Sequence, residues 1–486
     1  MGCIRRRGCL IVGALLIFFA SGPVCAEEAP KTTVDKLLDI LQDKGIITGD
    51  QYRDLKNELG AEQKVIEEQK QVLEDQKKVV ADVKSREEKM PRVGYKNGFF
   101  LETPDQNFSL KIGGRVDADM RFYNSDHPEN NQFFINRARI YLSGTLYKYF
   151  EFKIEPDFGK GESELKDGFI NANYVPYAQF KVGQFKAPFS LERLTSSNYM
   201  DFVERALPVD NLTPDRDVGV MLHGAYAPYG LSYGLGIFNG TRANESDVDD
   251  HKDVAVRIAW SPFYKKDSIL LKGLHLGFST TYGEEEMVFP DEKDQFWSKG
   301  KLETAGDTKF FEFANGVTHD GKRKRLGTEL AWVVGPMTLK GEWMRIDLDG
   351  LKNPIGESHD LSMNGGYVSL GYFLTGEEQQ FDVAQAVFKR TKPKRLFDPS
   401  KRLWGAVQLV ARYEYLNLSD SFFDHGYANP TKYTDGAKGG TFGVNWYLND
   451  MVRIMLNYNH IEFNDYVLEA DDDNEDVILA RFHLEF

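Results

Sequence analysis

The last ten residues of the chain, Val477-Ile-Leu-Ala-Arg-Phe-His-Leu-Glu-Phe486, alternate between apolar and polar side chains and end on an aromatic residue. This pattern is typical of a β-strand with lipid on one face and water on the other. Hydrocarbon tolerates no unpaired backbone edge, so a last strand of this kind must pair with the first and close a barrel. The final strand of a soluble β-domain shows the same alternation, and the rest of the chain must decide between the two.

The N-terminus predicts export. Three arginines precede an apolar run over residues 10–20, and Val24-Cys25-Ala26 places small residues at a cleavage site. We therefore expect a signal peptide over residues 1–26. Lipoprotein processing before Cys25 is the alternative, although Gly22-Pro23-Val24 fits it poorly. All three cysteines lie in this segment, so we expect no disulfide, thiol catalysis or thiolate metal site in the mature chain.

The composition fits a barrel better than a helical membrane protein or a nucleic-acid-binding protein. Beyond the signal, no apolar window is long enough for a transmembrane helix, yet aromatic residues make up 13% of the chain. Barrel strands produce such a polar average with many aromatics, because half of their side chains face water. The net charge of −14 argues against nucleic-acid binding.

Residues 27–90 predict a helical extension on the periplasmic side. Residues 27–60 read as a small helical pair, and residues 61–90 read as one charged helix. Val65, Val72 and Val79 stand one heptad apart, which favours a short coiled coil. A single solvated helix is the alternative.

Residues 91–486 predict the barrel domain. Sixteen alternating segments follow residue 107, and an even number of antiparallel strands closes a barrel with both chain ends on one side. Short connections at residues 227–230, 334–336 and 448–450 fall on the predicted periplasmic side, and a long one at residues 282–325 falls outside. Residues 374–404 break this pattern, so either they fold inward or the strand count slips by one.

Charged side chains alternate with apolar ones in the first predicted strand, residues 109–123. A closed sheet of sixteen strands is too wide for side chains to fill, and its charged interior rows require water beside them. The sequence therefore predicts an all-β transmembrane barrel of sixteen antiparallel strands with a water-filled lumen.

Several motifs resemble those of the phosphate-selective porin O/P family. The most specific lie between residues 183 and 208. The motifs are Arg137-Ala-Arg139, Phe152-Lys-Ile-Glu-Pro-Asp-Phe-Gly159, Val182-Gly-Gln-Phe-Lys-Ala-Pro-Phe189, Phe202-Val-Glu-Arg-Ala-Leu-Pro208 and Gly443-Val-Asn-Trp-Tyr-Leu-Asn449. The resemblance, which covers residues 91–486, implies a trimeric outer-membrane channel whose third outer loop folds into the lumen. It does not imply phosphate preference for every member.

Basic residues on the predicted third loop and on neighbouring strands are the candidate anion-binding and pore-lining residues. On the loop segment we expect Lys186 and Arg193 to face the pore, with Arg205 and Arg216 bracing the loop. The candidates on the wall are Arg115, Arg121, Arg137, Arg139, Lys153 and Lys181. Together they form either a basic ladder for a passing anion or a solvated face balanced by acidic neighbours.

No motif of a hydrolase, metalloprotease or nucleotide-binding enzyme is present, and we predict no cofactor, metal site or catalysis. The expected function is diffusion of small anions such as phosphate. The alternatives are a weakly cation-selective porin, or a structural barrel tethered to peptidoglycan or a periplasmic partner by its helix. Further expected partners are outer-membrane lipid, lipopolysaccharide and the barrel-assembly machinery, which would recognise Phe486.

Overall fold

The structure is a computed structural model that describes residues 32–87, 89–124, 127–245, 247, 250–289 and 300–486. The predicted signal peptide lies outside these residues. The chain divides into two compact units, Met1–Glu88 and Lys89–Phe486.

Within its described residues, 32–87, the first unit contains two helices, α1 (Thr33–Asp43) and α2 (Gly49–Glu87). Thr32 and Asp35 form a capping box at the start of α1, and the Tyr52 hydroxyl donates to Asp39 at 2.6 Å between the helices. Helix α2 continues through Gly60, because one glycine costs a helix only about 1 kcal/mol. The second helix of the predicted pair and the predicted charged helix are therefore one element. None of the helices in the described residues combines the length and apolar character needed to span a bilayer.

The second unit is built on one antiparallel sheet of eighteen strands, of which sixteen close a barrel in chain order. This confirms the predicted fold class and strand number. The barrel strands are β1 (Phe108–Tyr123), β2 (Gln132–Leu146), β3 (Phe150–Asp157), β4 (Glu164–Val175), β5 (Ala178–Lys186), β6 (Arg216–Tyr226), β7 (Leu231–Phe238), β8 (Asp253–Trp260), β9 (Gly273–Val288), β10 (Thr318–Val334), β11 (Met337–Lys352), β12 (Ser358–Phe373), β13 (Ala406–Leu418), β14 (Gly436–Tyr447), β15 (Val452–Val467) and β16 (Asp472–Glu485).

The last strand closes the barrel on the first. β16 pairs with β1 from Val477 opposite Tyr123 to Glu485 opposite Arg115. Beyond this register, Phe486 and Gly114 exchange two backbone hydrogen bonds of 2.9 Å each. The pairing leaves no open edge between the two ends of the sheet.

Side chains alternate across the wall as predicted. On β1, Val116 is 37% exposed on the outer face, whereas Arg115 and Asp117 are 3% and 0% exposed on the inner face. The outer faces of the other strands carry mostly apolar and aromatic side chains. The barrel thus has an apolar exterior and a charged interior.

The tight connections at residues 227–230, 335–336 and 448–451 lie at one end of the barrel, hereafter the turn end. The other end is hereafter the loop end. The predicted outer connection 282–325 is shorter than expected, because β9 extends to Val288 and β10 begins at Thr318. Cross-strand positions such as Glu284 opposite Lys322 place opposite charges face to face, which stabilises this pairing beyond the apolar part of the strands.

Residues 374–405, hereafter the turn-end insert, fold into the barrel, which settles the ambiguity in the strand count. The insert carries two short ribbons, Phe381–Asp382 with Val387–Phe388 and Phe397–Asp398 with Leu403–Trp404. Its backbone accepts a hydrogen bond from the inward-facing Arg257 of β8, 2.8 Å from the carbonyl oxygen of Ala386.

Two features of this unit were not predicted. A hairpin of Arg92–Tyr95 and Phe99–Glu102 pairs with the start of β1, at the turn end. Near the loop end, long connections pack together inside the barrel around a buried apolar core. This core includes Leu207, Phe310, Phe311, Phe422 and Tyr427, together with inward-facing residues of β11, β12 and β13.

Candidate functional site

The connection between β5 and β6, residues 187–215, lies inside the barrel and is hereafter the inward loop. Its backbone carbonyls accept hydrogen bonds from inward-facing side chains of β10, β13, β14, β15 and β16, on the wall across from the two strands that it joins. The donors are Arg325 to Leu212, Arg412 to Glu204, Asn445 to Asp201, Arg453 to Met200 and Arg481 to Val203, at 2.6–3.1 Å.

The inward loop contains two short helices, α3 (Leu191–Leu194) and α4 (Leu207–Leu212), and one wall carboxylate binds the start of each. Glu342 of β11 accepts the N–H groups of Leu191 and Glu192 at 3.0 and 2.7 Å. Glu414 of β13 accepts the N–H of Leu207 at 2.7 Å. The first N–H groups of a helix have no partner within it, so these contacts both satisfy the helices and fix the loop to the wall.

Lys186 and Arg193, the predicted pore-facing residues, both make hydrogen bonds within the loop region. The Lys186 ammonium donates to the carbonyl oxygens of Arg193 and Thr195. The Arg193 guanidinium is 4% exposed and donates to Thr213 at 2.8 Å and to the Val209 carbonyl at 2.6 Å. These contacts brace the loop, and the predicted role of the two residues in anion binding stays a prediction.

Three of the predicted wall arginines contact connections inside the barrel. Arg115 donates to the Ser197 hydroxyl at 2.8 Å, and Arg121 pairs with Asp307. One guanidinium nitrogen of Arg137 lies 3.4 Å from a carboxylate oxygen of Asp117, and the other lies 3.6 Å from a carboxylate oxygen of Glu204 in the inward loop. Burial opposes ionisation of Glu204, but Arg137 and other arginines outweigh it and lower the pKa of Glu204 to about 2.

Arg139 and Lys153 belong to an ion-pair network on β2, β3, β4 and β6. Arg139 pairs with Glu155 at 3.0 Å and Asp157 at 2.6 Å. Asp167 accepts from both Lys153 and Arg216 at 2.7 Å. For these residues, the observed ion pairs fit a face balanced by acidic neighbours better than a basic ladder for a passing anion.

Lys181 differs from the other predicted residues. Its ammonium nitrogen lies 4.6 Å from the centre of the Phe169 ring and 5.4 Å from that of Phe185. Within the part of the chain that the structure describes, no carboxylate lies within ion-pair distance of it.

The two larger cavities formed by the described residues inside the barrel lie on either side of the inward loop. The inner cavity, of about 640 Å³, is lined by β2 to β8, the inward loop and the turn-end insert. The outer cavity, of about 350 Å³, is lined by residues near the loop ends of β6 to β10. Arg216 lines both cavities, so it stands where the two approach each other.

The sequence prediction missed the arginines of the last strands that hold the inward loop. Arg481 donates to both carboxylate oxygens of Asp119 at 2.7 and 2.6 Å, and it also contacts Glu204 at 3.0 Å. The alternation of β16 does place Arg481 on the inner face, and this signal could have found it. Its partner in the loop could not be found in that way.

Comparisons with known proteins agree with this architecture. The family model for phosphate-selective porins O and P matches residues 110–486. Porin O of Pseudomonas aeruginosa is 26% identical over 416 residues, which is 80% of this chain and 91% of that protein. An uncharacterized protein of Caulobacter vibrioides is 23% identical over 380 residues, 72% of this chain and 68% of that protein.

Solved porin structures are also similar. An anion-selective porin from Comamonas acidovorans has a TM-score of 0.48 and 12% identity, covering 78% of this chain and 100% of that one. The trimer form of OmpT from Vibrio cholerae has a TM-score of 0.48 and 10% identity, covering 78% of this chain and 99% of that one. The family and the barrel indicate a channel rather than an enzyme. The family model spans nearly the whole second unit, and the chain therefore belongs to the phosphate-selective porin O and P family, as an outer-membrane porin.

Proposed function

We propose that the barrel is a water-filled channel for small anions, narrowed by the inward loop. Solutes pass from the outer cavity, beside Arg216, into the inner cavity. The observation that carries the proposal is that, among the side chains that line the inner cavity, basic ones outnumber acidic ones. The basic residues are Arg139, Lys153, Lys181, Lys186, Arg216 and Arg257, and the acidic ones are Glu151, Glu155, Asp167 and Asp382.

A local excess of this kind can set selectivity in an acidic protein. Charges on distant outer connections are screened over a Debye length of about 8 Å at physiological salt. Within a narrow lumen, little water separates a passing ion from the wall, and basic side chains favour anions there. The name of the family supports phosphate as one of the solutes.

A weakly cation-selective porin is the second candidate, and the outer cavity favours it. The acidic residues that line this cavity outnumber the basic ones. The acidic residues are Asp215, Asp217, Glu245, Asp253, Glu284, Glu285 and Glu286, and the basic ones are Arg216, Arg242, Arg323 and Arg325. Which cavity controls permeation decides between the two candidates.

The reversal potential of the purified full-length protein in a planar bilayer tests the proposal. Under a KCl gradient, we expect a reversal potential whose sign shows that the channel is selective for chloride over potassium. Replacing chloride by phosphate on one side should shift this reversal potential further. A potential that shows potassium selectivity would favour the second candidate. The absence of conductance would exclude both.

We also propose that the helical unit lies in the periplasm and that three barrels form a trimer. The hairpin of residues 92–102 pairs with β1 at the turn end, and short turns of outer-membrane barrels face the periplasm. The chain therefore enters the barrel from that side. Support for the trimer comes from the family resemblance and from the heptad spacing of Val65, Val72 and Val79 in α2.

A further inference from the structure

Among the described residues that line the inner cavity, one basic side chain has neither a carboxylate nor a backbone carbonyl as its partner. Arg139, Lys153 and Arg216 share Glu155, Asp157 and Asp167, and Arg257 pairs with Glu329 at 2.5 Å. Lys186 donates to loop carbonyls. Among the described residues that line the cavity, Lys181 is therefore the basic residue that has neither a carboxylate partner nor a carbonyl partner.

An apolar surface surrounds Lys181. Phe169 and Phe185 lie under its ammonium group and pack edge to face, with ring centres 6.2 Å apart. Met221 lies opposite Lys181 in the register of β5 and β6, and it lines the cavity together with Pro188. A ligand that reaches Lys181 with its charge would therefore bring the rest of its body against apolar side chains.

The polar groups near Lys181 disfavour a second negative charge on a ligand bound there. On the neighbouring strands, Asn171 lies between Glu151 and Lys181 in register, which places Glu151 roughly 10 Å away along the sheet. Glu151 accepts from the amides of Asn171 and Asn173 at 2.9 Å, and it has no basic partner among the described residues. A divalent anion would meet one free cation and one carboxylate, whereas a monovalent anion needs the cation alone.

We propose that the inner cavity binds singly charged organic anions with an apolar body, such as aromatic monocarboxylates, in preference to phosphate. Lys181 pairs with the carboxylate, and Phe169 and Met221 contact the body. This inference rests on the proposed function as an anion channel and names the class of solute that the inner cavity selects.

Block of chloride current through the full-length channel by benzoate tests the inference. Benzoate should halve the current at a lower concentration than acetate, phosphate or sulfate at pH 7. Lys181→Gln should raise the half-blocking concentration of benzoate about tenfold, the factor that a hydrogen bond to a charged group supplies. Lys181→Arg should restore most of the block. Phe169→Ala should narrow the difference between benzoate and acetate.

Lys160→Gln is the matched control, because Lys160 is an exposed lysine outside the cavity lining. Heat-modified electrophoretic mobility shows that each variant is folded. Equal block of the wild type by benzoate and acetate, tighter block by phosphate, or unchanged benzoate block in Lys181→Gln would each overturn the inference while leaving an anion channel in place. A wild-type channel that prefers potassium would overturn the proposed function and this inference together.

Discussion

At the scale of single residues, charged side chains on the inner face of the barrel pair with charges on neighbouring strands. The Asp119 carboxylate and the Arg481 guanidinium form a two-pronged pair with both side chains at most 3% exposed. Removing one partner of such a pair leaves a buried charge uncompensated, which commonly costs 3–5 kcal/mol. These pairs therefore matter more to stability than the many exposed ion pairs of the outer connections.

Asp119→Ala should lower the free energy of unfolding by about 3 kcal/mol, because Glu204 would then be the one described carboxylate within salt-bridge distance of Arg481. Urea unfolding in lipid vesicles, followed by tryptophan fluorescence, measures this change. Asp473→Ala, at an exposed position of the same sheet, is the control and should change it little. Equal effects of the two substitutions would contradict the role assigned to the buried pair.

Glu204 should make the contact between the inward loop and the wall sensitive to acid. The pKa of Glu204 falls from 4.5 to about 2, because Arg137, Arg481 and Arg121 outweigh the effect of burial. The folded state binds the proton less tightly than the unfolded chain. The stabilisation of the folded state that the Glu204 carboxylate contributes is therefore complete above pH 4.5 and is lost as the pH falls toward 2. The thermal unfolding temperatures of the wild type and of Glu204→Gln should therefore differ most above pH 4.5. A difference that stays constant down to pH 2 would argue against this linkage.

At the scale of elements, the inward loop depends on wall carboxylates that bind its helix starts. Glu342→Ala would leave the N–H groups of Leu191 and Glu192 without their acceptors. Hydrogen exchange of residues 187–215 should become faster, and the open-channel current should fluctuate more. Glu462→Ala, which removes an exposed carboxylate of β15, should leave both unchanged. Unaltered exchange in Glu342→Ala would mean that the loop is held elsewhere.

The C-terminal residue should matter for assembly. Phe486 exchanges two backbone hydrogen bonds with Gly114, and its ring lies against that glycine. Deleting Phe486 should reduce the amount of heat-modifiable protein in the outer membrane and leave protein in the periplasm. Phe482→Ala, which changes an outward side chain of the same strand, should have a smaller effect. Surface levels that match the wild type after the deletion would contradict this prediction.

The heptad spacing of α2 predicts contact between helices of different protomers. Val65, Val72 and Val79 are 51–61% exposed in the single chain. All three cysteines lie in the predicted signal peptide, so a single cysteine introduced into the mature chain would report contacts without interference. Val72→Cys should cross-link protomers on oxidation, whereas Lys70→Cys, on another face of the helix, should not. Equal cross-linking of both variants would favour the single solvated helix.

At the scale of the whole molecule, the sequence predicted the wall better than the contents of the lumen. Alternation with a period of two is a local property, so residues 109–123 already predict strand β1 and its inner face. The contact between Arg115 and Ser197 joins residues 82 positions apart, and no local pattern records it. For the same reason the sequence could not predict the contacts of Arg193 with Thr213 and Val209, because these residues approach it only after the loop folds.

Selectivity is likewise a property of the whole molecule, because the chain is acidic while more basic than acidic side chains line the inner cavity. The most direct test is the reversal potential of the wild-type channel under a KCl gradient. The proposed anion channel should give a potential that shows chloride selectivity and a further shift when phosphate replaces chloride. A potential that shows potassium selectivity would contradict it and would assign control of permeation to the acidic outer cavity.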